Sequence, residues 1–118
     1  MAPTSDTRLD LLLAVAAALE TAQPVSIGTM FRSPAIRSGD KIVAFLGHRE
    51  RLIIKVPAER VAALVEEGIA EPVTMGSRTM REWVALLPAD TDEQTLVRWI
   101  PRAREAFHYV SRSPSSDR

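Results

Sequence analysis

Hydrophobic and polar positions alternate most clearly between Asp40 and Val56, and the rest of the chain is organised around that stretch. Leu52, Ile54 and Val56 alternate with Arg51, Ile53 and Lys55, the period-2 pattern of a half-buried strand. The preceding arm, Ile42-Val43-Ala44-Phe45-Leu46, is apolar at every position. A strand of that kind has both faces covered, or keeps one face for a partner. Gly47 opens the polar turn His48-Arg49-Glu50, where a positive φ would suit glycine. The pattern predicts two paired strands at the centre of a sheet.

On either side the period changes. Thr4, Ser5, Asp6 and Thr7 offer N-caps to a first helix whose buried stripe is predicted at Leu9, Leu12, Leu13, Ala16 and Leu19. Gln23-Pro24 ends it. Val25 to Phe31 alternates as a strand, Ser33-Pro34 marks a kink, and Ala35 to Arg37 is a short strand candidate before the turn Ser38-Gly39-Asp40. Pro57 starts a helix with inner residues Val61, Leu64 and Val65, closed by Gly68. Pro72-Val73-Thr74 reads as an edge strand, and Arg81 to Leu87 as a strand apolar on both faces. A final helical region runs from Asp92 to Arg112 with Ala103, Ala106, Phe107 and Val110 inward, and Pro101 is expected to split it. Residues 1–112 therefore form one domain, and 113–118 a polar tail expected to be disordered.

The predicted order is α-β-β-β-α-β-β-α: an α+β, two-layer fold with a mainly antiparallel sheet. Two arrangements stay open. The helices cover one sheet face and leave Val43, Phe45, Ile53 and Trp83 (or Val84) to a partner, with a homodimer as the simplest cover. Alternatively, the first and last helices cover opposite faces.

Composition narrows the function. The chain has 118 residues and zero formal net charge, and it contains no Cys. Disulfides, thiolate metal sites and a Cys nucleophile are thereby excluded. Leu11–Leu19 has the length of a signal-peptide core, but Asp6 and Asp10 stand before it against one Arg8, and it is too short to span a bilayer. A cytoplasmic chain without membrane association is expected. His48 and His108 stand apart from any ligand spacing, and the serines lack a nucleophile elbow. Glu66 and Glu67 are neighbours on a helix and point apart, and the five glycines form no phosphate loop. No catalytic or metal site and no cofactor is expected. The basic residues Arg32, Arg37, Lys41, Arg49, Arg51 and Lys55 crowd the first half of the sheet, against Asp40 and Glu50, and Arg98 and Arg102 could add to them. Such a cluster is what phosphate contacts require.

Met30-Phe31, Pro34-Ala35-Ile36, Gly39 to Phe45, Arg51 to Arg60 and Gly76 to Val84 together resemble the N-terminal domain of the TfoX/Sxy family. The resemblance spans Val25 to Val110. It implies a fold related to MmcQ/YjbR proteins and to secretion-chaperone-like domains. The family usually carries glycines after its Met-Phe pair, where Arg32 and Ser33 stand here. Members that regulate natural competence carry a second, C-terminal domain, so the resemblance implies the fold and not that role. The expected function is a small non-enzymatic regulatory or protein-interaction domain. The alternative is a nucleic-acid-binding accessory protein using a basic rim around the central hairpin.

Overall fold

The structure is a computed structural model that describes residues 9–20, 25–30, 33–39, 41–47 and 50–112, the side chains of Met30 and Met75 excepted. The Thr4–Thr7 caps, Gln23-Pro24, Phe31, His48 and the 113–118 tail lie outside those residues. The elements run α1 (Leu9–Leu19), β1 (Ser26–Met30), β2 (Ser33–Ser38), β3 (Lys41–Leu46), β4 (Leu52–Lys55), α2 (Ala58–Glu66), β5 (Ala70–Met75), β6 (Arg78–Leu86) and α3 (Asp92–Arg112). The fold is α+β, with one six-stranded sheet in the order β1-β2-β3-β4-β6-β5, antiparallel throughout. The central hairpin supplies the two middle strands, as its pattern predicts.

Four strands precede α2 rather than three. Ser33-Pro34 does not break the chain; Pro34 sits near the start of β2 opposite Thr29, a position where a missing N–H is tolerated.

All three helices pack on one face. There Leu12, Val15 and Leu19 of α1, Leu64 of α2, and Trp99, Phe107 and Val110 of α3 meet Ile36, Leu52, Ile54, Val84 and Leu86 of the sheet. Covering of opposite faces by the first and last helices is therefore not what the chain does. The α1 stripe also differs from expectation: Leu11, Leu12, Val15, Ala16 and Leu19 are buried, while Leu9 and Leu13 are 42% and 46% exposed. Nearly every residue from Leu11 to Leu19 is apolar, so periodicity alone could not orient that helix.

Helix ends are closed by local chemistry. The Gly68 N–H donates to the Val65 carbonyl and the Ile69 N–H to that of Leu64, with Gly68 at φ 80°. This is a Schellman motif, and only glycine adopts that angle without strain. Thr91 Oγ1 accepts the Gln94 N–H at 3.1 Å and caps α3. The buried Thr95 hydroxyl accepts the Ala89 N–H and donates to the Thr91 carbonyl, both at 2.8 Å. Trp99 Nε1 donates to the Leu87 carbonyl at 3.1 Å. These bonds fasten the loop between β6 and α3 to the helix it feeds.

α3 is continuous through Pro101. The carbonyl that Pro101 leaves without an N–H belongs to Val97, a residue 70% exposed, so water can take the place of the missing donor. α2 and α3 are joined by Arg60, whose Nε donates to Glu105 Oε2 at 2.5 Å. That bond, with the nearby Glu105 and Glu67 charges, outweighs desolvation and raises the Arg60 pKa further.

Candidate functional site

The sheet face turned away from the helices carries its own apolar cluster: Ala35, Phe45, Ile53, Val73 and Ala85, with Ile42, Met80 and Trp83 packed against it. Strand register explains how it forms. Gly28, Ala35, Phe45, Ile53, Ala85 and Glu71 stand directly opposite one another across all six strands. Opposed residues share a face, so this row crosses the open side from edge to edge. Its middle members are the large ones. Phe45 meets Trp83 edge-to-face, with ring centroids 5.5 Å apart.

Val43 does not belong to this face. Register slips between Ile36, opposite Ala44, and Arg37, opposite Ile42, leaving Val43 as the extra residue of a bulge. Val43 and Ala44 then both enter the helix-side core, and Val43 is fully buried there. Ile42 takes its place on the open side. Phe45 and Ile53 lie on the open side but are only 4% and 8% exposed, because the side chains around them close over them. Trp83, half-buried, is the part of the proposed patch that reaches solvent.

The predicted basic set is divided. Arg32 and Arg49 lie outside the described residues. Lys41 belongs to the helix side, where Nζ donates to the Val110 carbonyl at 3.3 Å beside a Ser38–Ser111 contact. The last turn of α3 is where a cation suits the helix dipole. Arg37, Arg51 and Lys55 do share the open face. The Arg37 stem lies across Gly28, where a Cβ would meet its Cδ at 2.6 Å. Arg51 pairs with Glu71 at 2.5 Å. Lys55 is 3.9 Å from Glu82 and 5.5 Å from the centre of the Trp83 ring. The Nε atoms of Arg37 and Arg51 are buried without a hydrogen-bond partner. Leaving such donors unmet costs on the order of 1–3 kcal/mol each. On α3, Arg102 joins Glu105 at 3.4 Å, away from the open face.

Sequence reading missed Ala35, Val73, Met80 and Ala85 as members of the cluster. The alternation around Trp83 carries Ala85, but the others depend on register: Val73 meets Met80 only because pairing slips after Pro72.

A shallow groove between α2 and the β5 side of the sheet is lined by Ala58, Val61, Ala62, Val65 and Pro72, with Glu66 and Arg81. Two polar side chains on an apolar wall do not make an acid–base or nucleophilic constellation. Among the described residues no three His, Asp or Glu side chains gather as a metal site, and no helix is long and apolar enough to cross a membrane. Compared with known proteins, the sequence matches no family model and no curated protein.

Proposed function

We propose that the chain is a non-enzymatic protein-interaction or regulatory domain that receives its partner on the open sheet face. The observation that carries this reading is an apolar cluster with an aromatic pair, Phe45 and Trp83, on a face that no described helix covers. The partner meets Trp83 with apolar surface and offers carbonyl or carboxylate oxygens to the half-buried Arg37 on the same face. Buried aromatic and arginine anchors dominate interface energetics. The TfoX-like resemblance is compatible with a regulatory module of this kind.

The test is comparative capture from the source cells with wild type, Trp83→Glu and Val97→Glu, followed by calorimetry on the purified partner. A protein held by wild type and Val97→Glu but bound at least about tenfold more weakly by Trp83→Glu supports the reading. Equal binding by all three refutes it.

A nucleic-acid partner is the second reading, favoured by Arg37, Arg51 and Lys55 sharing one face with an aromatic ring. It is the weaker one, because Arg51 and Lys55 already face Glu71 and Glu82. Anisotropy of a labelled duplex across a salt series decides it. Phosphate contacts by Z cations give a log–log slope of about −0.9Z, and Arg51→Glu would flatten it.

A further inference from the structure

Among the described residues four large apolar side chains are more than 40% exposed: Leu9, Leu13, Ile27 and Val97. Three of them fall together. α1 lies over β2 and beside α3, which crosses β3 and β4. At 100° per residue, Leu9 and Leu13 occupy the α1 flank opposite Leu11 and Ala18. Leu11 is buried, and the Ala18 carbonyl takes Arg104 of α3 at 3.5 Å, so that other flank is the one turned to α3. Leu9 and Leu13 therefore look outward, over the β1 edge. Ile27 stands opposite Ile36, which is in the helix-side core, so its side chain emerges on the same side of the sheet.

Both edges of the sheet are not alike. β5 carries Pro72 and a register slip, devices that blunt an edge. β1, Ser-Ile-Gly-Thr-Met, has no proline or charge, and no described strand pairs with its outer side.

We propose that two copies of the chain join through β1, antiparallel, about a two-fold axis perpendicular to the sheet. Such an axis is the only way to continue an antiparallel sheet with both helical layers on one side, and it brings each α1 flank against the other. The interface is self-complementary, as two-fold symmetry requires. Opposed residues must share a face, which excludes every register that sets Ile27 against an open-face residue. Centring on Gly28 pairs all of β1 and puts Ile27 opposite Thr29 of the second copy. One short edge strand and three half-exposed side chains make a contact smaller than the about 800 Å² per partner of a standard interface. The association is therefore expected to be weak. The open face takes no part, so the inference stands independently of the proposed function.

Sedimentation equilibrium on the full chain tests it, with circular dichroism to verify folding. Wild type, Val97→Glu and Trp83→Glu should dimerise alike, and Ile27→Glu at least about tenfold more weakly. Leu13→Glu, on the helix flank, should weaken it as well and serves if Ile27→Glu does not fold. A wild type that stays monomeric to about 1 mM overturns the proposal. So does a folded Ile27→Glu that associates as wild type, or a dimer lost only in Trp83→Glu, which would place the contact on the open face.

Discussion

Gly47 sets up a test of how tightly the open face is packed. It is not one of the left-handed glycines; in this turn Glu50, at φ 61°, takes the positive angle instead. What excludes a side chain at Gly47 is Ile53: a Cβ there would lie 2.6 Å from its Cδ1 and 3.2 Å from its Cγ1. Overpacking of this kind costs about 1–3 kcal/mol. Against it, alanine at an angle it can adopt stabilises by about 0.4–1 kcal/mol through the unfolded chain. Gly47→Ala should therefore lose about 1–2 kcal/mol. Ile53→Val removes Cδ1, the closest atom, and alone costs about 0.5–1.5 kcal/mol. In that background Gly47→Ala should cost about 0.5 kcal/mol or less, a coupling of about 1 kcal/mol. Urea unfolding of the four proteins reads this directly, and about 1 kcal/mol corresponds to a shift near 4 °C in Tm. Additive effects, within about 0.3–0.5 kcal/mol, would show that Ile53 does not lie over Gly47.

Pro101→Ala restores a helical hydrogen bond on the exposed side of α3 and should stabilise the protein by about 1–2 kcal/mol in the same urea assay. Thr95→Val strips the hydroxyl that holds the Ala89 N–H and the Thr91 carbonyl, with an expected loss of about 1–3 kcal/mol and faster amide exchange at Ala89. The pKa of Tyr109, the only tyrosine, is raised above its ordinary 10.0 because burial disfavours phenolate and Glu82 adds its charge and a hydrogen bond. A raised folded pKa means that this contribution is fully present below pH 10 and fades as pH climbs through the folded value. Absorbance at 295 nm should show late ionisation, and Tyr109→Phe should lose less stability than wild type above pH 10.

The sheet was legible where one residue type could occupy only one place. Alternation in Arg51 to Val56 placed β4, and unbroken apolar runs in β3 and β6 signalled strands whose second face is either covered or kept for a partner. α3 was legible because its polar side is strongly polar, which makes Ala103, Phe107 and Val110 a clear stripe. α1 lacks that contrast, so its orientation came only from packing. The open-face cluster was half legible: Phe45, Ile53 and Trp83 follow from alternation, whereas the loss of Val43 and the arrival of Ile42 follow from one bulge. Bulges arise from pairing between strands, which the local pattern does not carry. The basic set was assembled by nearness in sequence, and β2, β3 and β4 then sent Lys41 to one side and Arg37, Arg51 and Lys55 to the other.

The last helix has a bearing on how the protein is made. Trp99, Ala103, Ala106, Phe107 and Val110 of α3 lie against α1 and the middle strands, and they follow every strand in the sequence. During synthesis from the N-terminus, all six strands have been polymerised before these residues leave the ribosome. Ile54, Leu52 and Leu86 must wait meanwhile without their cover, exposing a broad apolar surface on the nascent chain. Emergence of α3, rather than pairing of the strands, is then the moment at which the core closes, and holding chaperones would find their target in the interval before it.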